Sequence, residues 1–287
     1  MKKATIVVDK LADTKEALRA QIAKSAQKIG LASDTLSARA ILIKPNLTYP
    51  TYKKGVTTRI ELIREVVGTL KDLNKNIKIY IGEGEGGYNS FSMDEAFKNM
   101  GFFELASEFS QVEIVNLSKV PSKKVAVQTL RGQYELNLPE IFFSEIDFSI
   151  SCPVPKVHDL TKISLSYKNQ WGCLPDIMRL KNHYMFNYLI SKLADPLKFK
   201  YAILDGKYGL NNNGPIVGDV VEVNWFAAAN SLGAFDSIIS EMMGFEWNKI
   251  GHLKVAEKYG YLPKKEDIEL IPVSTLKETL DIVISKA

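Results

Sequence analysis

Strand-like runs alternate with helical stretches over residues 4–117, and this alternation constrains the fold more than any other feature. ATIVV (4–8) reads as a strand. Behind it Leu18, Ile22, Ala26 and Ile29 recur at helical spacing over residues 14–29, and Gly30 supplies a stop. ARAILI (38–43) is a second, buried-type strand running into Lys44-Pro45-Asn46. Thr58-x-x-Glu61 has the form of a capping box, and Ile60, Ile63, Val67 and Leu70 follow on one helical face. IKIYI (77–81) is the next strand, with the glycine loop GEGEGG (82–87) after it. Ser92-x-x-Glu95 opens a further helix ending near Gly101, and VEIVNL (112–117) is again a strand. Such an order predicts an α/β fold: a mostly parallel, Rossmann-like sheet with helices on both faces.

The pattern then changes. VAVQTL and QYELNL flank Arg131-Gly132 as a hairpin would, so an antiparallel hairpin insertion is expected. IDFSISCPV (146–154), ISLSY (163–167) and YAILD (201–205) read as strands, and residues 234–243 and 274–285 as helices. Without a repeat, a low-complexity stretch or a clear linker, the economical reading is one α/β domain over residues 1–287.

Composition removes several function classes. The net charge of +4 comes from 37 Lys and Arg against 33 Asp and Glu spread along the chain, with no basic stripe interleaved with aromatics, so nucleic acid is not an expected partner. No apolar run approaches the roughly 20 residues that span a bilayer, so no membrane partner is expected. The first apolar run stops at Asp9, which suits a strand and not a secretory signal. Cys152 and Cys173 are too few for a four-cysteine iron–sulfur cluster and lack C-x-x-C spacing, so this chain is expected to carry no such cluster and to be cytoplasmic.

In an open parallel sheet, ligands gather beyond the carboxyl ends of the strands. Four polar segments fall at such ends: Lys44-Pro45-Asn46, Gly82 to Gly87, Lys156 to His158, and Asp205-Gly206. Gly82-x-Gly84-x-x-Gly87 is formally a dinucleotide fingerprint, but Glu83 and Glu85 lie inside it and would repel a pyrophosphate. Three readings stay open for it: a nucleotide loop, a tight turn, or Glu83 and Glu85 as cation ligands or acid–base groups. Lys168, beside Tyr167 and Trp171, is either a desolvated amine able to act as nucleophile or tether, or a surface lysine with its stem on a ring. His158 and His183 are either a proton-transfer pair or metal ligands, or structural histidines; His252 reads as structural within a helix. Pro153 and Pro155 stiffen the loop presenting Lys156 and His158. Asp205, Gly206, Gly214, Pro215 and Gly218 either line the same pocket or form surface turns. Asp236 either orients a basic site residue or starts a helix.

In order, KPN (44–46), GEGEGG (82–87), PKVH (155–158), YKNQWG (167–172), His183, DG (205–206), GPIVG (214–218) and AFD (234–236) resemble the family called domain of unknown function 362, over about residues 38–262. A more distant similarity is to the N-terminal domain of lactate racemase, a nickel-pincer nucleotide enzyme. That resemblance implies proton transfer by His158, a cofactor contact by Lys168 and metal ligation by His183. The racemase carries a further catalytic histidine in the loop where this chain holds Glu83 and Glu85.

Together these features lead to one expectation: an enzyme that takes a small anionic organic substrate and transfers a proton or hydride at carbon. His158, Lys168, Glu83 and Glu85 are its expected catalytic groups. Lys44, Asn46, Gly84, Lys156, Lys168, Asn169, Asp205 and Gly214 are expected to contact cofactor, and His183 a metal or a metal-bearing nucleotide. The alternatives are a non-catalytic cofactor or metal carrier and a nucleotide-dependent enzyme using the glycine loop. A homo-oligomer or a redox partner protein fits either kind of role.

Overall fold

The computed structural model describes residues 3–86, 90–179 and 184–272. The strands are β1 (Ala4–Lys10), β2 (Ala40–Pro45), β3 (Lys78–Glu83), β4 (Val112–Asn116), β5 (Ser122–Thr129), β6 (Gly132–Pro139), β7 (Phe148–Cys152), β8 (Lys156–His158), β9 (Lys162–Ser164), β10 (Phe199–Ile203), β11 (Gly206–Asn211), β12 (Asp219–Ala229) and β13 (Ile268–Pro272). The α-helices are α1 (Lys15–Lys28), α2 (Leu31–Ser37), α3 (Ile60–Leu73), α4 (Met93–Asn99), α5 (Phe102–Ser107), α6 (Ile141–Ser144), α7 (Ser166–Asn169), α8 (Phe186–Leu189), α9 (Leu232–Met242) and α10 (Gly251–Lys258). The helix expected over residues 274–285 lies outside the described residues.

Five strands in the order β4-β3-β2-β7-β10 form a parallel sheet. The chain runs outward from β2 through β3 to β4, then returns to place β7 on the other side of β2. Strand order therefore reverses between β2 and β7, and a crevice opens there beyond the carboxyl ends of both strands. The long β12 joins antiparallel to β10, pairs through its first half with β11, and bonds β1 on its other edge. The sequence pattern led to β1 as the first strand of the parallel run; instead it pairs antiparallel with β12 and parallel with β13. Local pattern reports strandedness, but the partner of β1 lies more than two hundred residues away and leaves no local mark. The hairpin β5–β6 forms a separate two-stranded sheet, with Thr129 paired to Gly132 across the turn.

Both faces of the sheet are apolar, as a covered parallel sheet requires. Ile41, Ile43, Ile79 and Ile81 pack on one side against Leu62, Ile63 and Val66 of α3, Ile22 of α1 and Phe97 of α4. Leu42 and Tyr80 face the other side, toward Leu138 of the hairpin, Trp171, Phe186 and Phe235. Among the described residues no helix is long and apolar enough to cross a membrane.

Three local expectations resolve differently from the sequence reading, each because a distant partner supplies the bond. Thr58 does not cap α3: its hydroxyl donates to the Cys152 carbonyl (2.7 Å) and accepts from the Asn46 N–H (2.8 Å). Asp205 instead takes the Arg59 N–H at the helix start (2.6 Å). Ser92 is the N-cap residue of α4, yet the Glu85 carboxylate receives the Met93 N–H (2.7 Å). ISLSY does not continue as a strand through Tyr167. β9 stops at Ser164 and α7 begins at Ser166, because the Asp236 carboxylate accepts the Ser166 N–H (2.8 Å), the Ser166 hydroxyl (2.5 Å) and the Tyr167 N–H (3.0 Å).

Candidate functional site

A cavity of about 480 Å³ occupies the crevice. Asn46, Leu47 and Thr48 line it after β2, and Glu83, Gly84 and Gly86 after β3. Lys156 and His158 of β8 line it from the segment after β7, and Lys168, Asn169, Trp171 and Gly172 from the α7 turn. Asp159, Ile177, Arg179, Pro215 and Ile216 are among the other lining residues. Most of the polar segments singled out from strand ends thus converge on one space.

Two ion and hydrogen-bond systems fix its floor. Lys44, fully buried, donates to Glu83 Oε2 (2.5 Å), the Pro45 carbonyl (3.0 Å) and Asn169 Oδ1 (3.4 Å). Glu83 also receives the N–H groups of Leu47 (3.2 Å) and Gly84 (3.1 Å). Gly172 makes room for this pair, since a Cβ there would lie 2.2 Å from Glu83 Oε1 and 2.9 Å from Lys44 Nζ. Asn169 donates to the Lys44 carbonyl (3.1 Å) and Ser151 Oγ (3.0 Å), so it braces β2 against β7. Lys156 donates to Asn46 Oδ1 (3.2 Å), Thr48 Oγ1 (3.2 Å) and the Val56 carbonyl (2.8 Å). Burial lowers its ammonium to about 7, with Lys168 adding repulsion.

Lys168 differs from the other two lysines. Its amine makes no hydrogen bond and no ion pair among the described residues, and its charge lies 5.2 Å from the centroid of the Phe186 ring. Desolvation, then Arg179 and Lys44, lower it to about 8. Asp236 caps the turn that carries it, so this carboxylate both sits in a helix and positions a basic residue. Burial raises Asp236 to about 7. His158 accepts the Leu160 N–H at Nδ1 (3.1 Å), which puts the proton of the neutral ring on Nε2.

Several expected site residues do other work. Glu83 serves as counter-ion to Lys44, and Lys44 is therefore not a free cation for a ligand. Glu85 does not line the cavity: its oxygens receive the Met93 N–H and Asn116 Nδ2 (2.8 Å), pinning the loop to α4 and β4. The Gly84 N–H donates to the Gly172 carbonyl (3.0 Å) and the Glu85 N–H to Ser118 Oγ (2.9 Å), so these two amides of the glycine loop are already engaged and do not form a phosphate cradle. Asp205 faces away, bound to Arg59 Nε (2.8 Å) and Nη2 (2.7 Å) as well as the Arg59 N–H. Gly214 packs under Val157, whose carbonyl a Cβ would meet at 2.1 Å, and its neighbour Pro215 reaches the cavity. His183 and Gly87 lie outside the described residues. His252 is buried in α10 with neither ring nitrogen bonded, and burial lowers it to about 3, which keeps it neutral.

Sequence reasoning missed Arg179. Its guanidinium is buried and donates to the carbonyls of Glu85 (2.7 Å), Leu174 (3.3 Å) and Asp176 (3.4 Å). Nothing local marks it, because the segment after Cys173 has no regular periodicity; only the fold brings it beside Lys168.

Residues 41–241 match the model of the family described as domain of unknown function (DUF362), a stretch that holds every residue lining the cavity. The chain belongs to the DUF362 family. A curated relative, the thylakoid-associated protein sll1697 of Synechocystis, is 26% identical over 141 residues, covering 47% of this chain and 44% of that protein. The lactate racemase apoprotein of Thermoanaerobacterium thermosaccharolyticum superposes with a TM-score of 0.52 at 11% identity, over 85% of this chain and 57% of that one. A Thermotoga maritima protein of solved structure aligns at a TM-score of 0.39 and 10% identity, over 74% of this chain and 56% of that one. This DUF362 chain thus shares the racemase fold and spans less than two thirds of the length of each of these proteins.

Proposed function

We propose that this DUF362 protein is an enzyme that binds a small anionic organic molecule in the crevice and moves a proton at one of its carbons. The observation that carries this reading is the meeting of His158 and Lys168, ten residues apart in sequence, in one cavity at the point where strand order reverses. An imidazole held in one tautomer is suited to donating a hydrogen bond from Nε2 to a substrate oxygen, and an amine lowered to about 8 can accept and return a proton near neutral pH. Asn46, Thr48 and Asn169 keep Lys156 and Lys44 in place, so the floor does not rearrange when a ligand enters. The mostly closed floor also excludes water from one side of a bound molecule.

The racemase fold raises the question of a metal-bearing nucleotide. Lys168 and Arg179 suit the anionic part of such a group. Among the described residues no cluster of three His, Cys, Asp or Glu could hold a metal ion, and His183 is the ligand the resemblance supplies. When bound, such a cofactor would supply a hydride acceptor; the protein residues would position the substrate and hold its charge.

The test is deuterium exchange. The natively purified protein is incubated in D₂O with a panel of short 2-hydroxy and 2-oxo acids, and incorporation at carbon is followed by NMR. Exchange with one acid class, lost in His158→Gln while the acid still binds, is the expected result. Absence of exchange with every acid, or exchange unaffected by His158→Gln, refutes the reading and leaves the carrier alternative. Metal analysis of the same preparation and of His183→Ala tests the metal separately, with loss of metal in the variant expected.

A further inference from the structure

The cavity contains more positive charge than its own carboxylates neutralise. Of the four buried or half-buried cations at its wall and floor, Lys44 is matched by Glu83, and Lys156 is solvated by two side-chain oxygens and a carbonyl. Arg179 and Lys168 have no carboxylate within ion-pair distance among the described residues. Arg179 spends Nη1 on the carbonyls of Leu174 and Asp176 and one Nη2 hydrogen on that of Glu85, which stabilises its position without cancelling its charge, and its Nε–H has no partner among the described residues. Among the described residues Lys168 has only the Phe186 ring. A cation withdrawn from water without a counter-charge is costly, so folded proteins ordinarily pair it.

The groups packed around these two cations put no carboxylate in direct contact with either. Glu83 on β3 is bonded to Lys44, Glu85 to the Met93 N–H and Asn116, and Asp236 on α9 to Ser166 and the Tyr167 N–H, while Asp159 at the cavity rim and Asp176 are exposed and act on the pair only at a distance; His158 lines the same cavity. Burial pushes the thiols of Cys152 and Cys173 well above their ordinary range, so they stay protonated. His252 on α10 is neutral. Lys162 on β9 is exposed, and Lys44 and Lys156 add only positive charge.

We propose that Arg179 and Lys168 together bind one oxyanionic group of the ligand, a carboxylate or a phosphoryl group, and that its binding draws a proton onto Lys168. This rests on the anionic-ligand reading above and adds Arg179 as the anchor that orients the ligand. The Nε–H and the remaining Nη2 hydrogen form a donor edge that can meet two oxygens of one group, and the amine closes over it as a point charge. An oxyanion between them replaces mutual repulsion by two attractions. Protonated Lys168 is then favoured where the empty cavity disfavours it.

Isothermal titration calorimetry tests this with glycolate and with inorganic phosphate as probes, in two buffers of different ionisation heat at pH 8.5. At least one probe is expected to bind, with a buffer-dependent heat that reports proton uptake. Carboxylate-only binding assigns the clamp to carboxylates and phosphate-only binding to phosphoryl groups. Arg179→Gln should weaken binding by roughly 30-fold or more. Lys168→Met should weaken it similarly and abolish the buffer-dependent heat. Lys168→Met breaks no hydrogen bond among the described residues, so it remains a valid probe if Arg179→Gln loosens the loop. No binding of either probe, wild-type affinity in Arg179→Gln, or proton uptake persisting in Lys168→Met would overturn the proposal. Because binding heat needs no turnover, an inactive protein that passes this test disproves only the catalytic reading.

Discussion

Replacing Lys168 with Met should stabilise the ligand-free protein. The amine is held inside without a hydrogen bond, and its ordinary value of 10.5 falls to about 8. Each unit of such a shift is worth about 1.4 kcal/mol, so the folded state carries a penalty of at most about 3.5 kcal/mol from this one charge. The residue is partly open to solvent, and screening reduces the expected gain to about 1–3 kcal/mol. Met has similar length, no charge, and a thioether suited to the face of Phe186. A gain of that size raises the thermal midpoint by several degrees, at about 2–4 °C per kcal/mol for a chain this large. The pH dependence separates this account from simple packing. Below about 8 Lys168 is protonated in both folded and unfolded chains, and the penalty is complete. Between about 8 and 10.5 the folded chain releases the proton while the unfolded chain retains it, so wild-type stability from this group rises and the advantage of the variant shrinks. Chemical denaturation of both proteins at pH 7, 8.5 and 10 measures it. A destabilised variant, or an advantage equal at all three pH values, would refute the reasoning.

Two further predictions concern the floor. Glu83→Gln leaves the fully buried Lys44 without its counter-ion and should cost about 3–5 kcal/mol by urea unfolding; the double variant Lys44→Met/Glu83→Gln should recover much of that loss. Gly172→Ala places a methyl group against Glu83 Oε1 and Lys44 Nζ and should cost about 1–3 kcal/mol by the same assay, together with reduced binding of anions in the cavity.

What the sequence disclosed, and what it withheld, follows the range of the interactions involved. The strands β2, β3 and β7 and the helices α1, α3 and α9 were legible because their apolar spacing is a local property. The segments 44–46, 82–86, 156–158 and 168–172 could be placed near one another because parallel strands deliver their ends to one side. Roles were less legible than places. Glu83 and Glu85 are two residues apart in one loop, yet one neutralises a lysine from β2 and the other caps α4. Asp205 sits at a strand end like the rest, but its carboxylate is held by Arg59 and does not line the cavity. The spacing around Asp236 suits an orienting group or a helix starter, and the turn it caps belongs to another element. Arg179 comes from an aperiodic stretch, where neither spacing nor composition distinguishes a ligand anchor from a solvated surface residue.

The pairing of β1 with β12 has a consequence for how the molecule is made. Ile6 meets Ala229 and Lys10 meets Trp225, so an apolar strand synthesised early waits until the ribosome has added more than two hundred residues before its neighbour exists. At roughly 5–20 residues per second, that interval is on the order of 10–40 seconds. During it, the nascent segment ATIVVDK presents an unpaired edge inviting adhesion to other chains, whereas β2, β3 and β4 can associate as they emerge. Translation thus brings β2, β3 and β4 together at the crevice while β1 still lacks the strand that covers its edge.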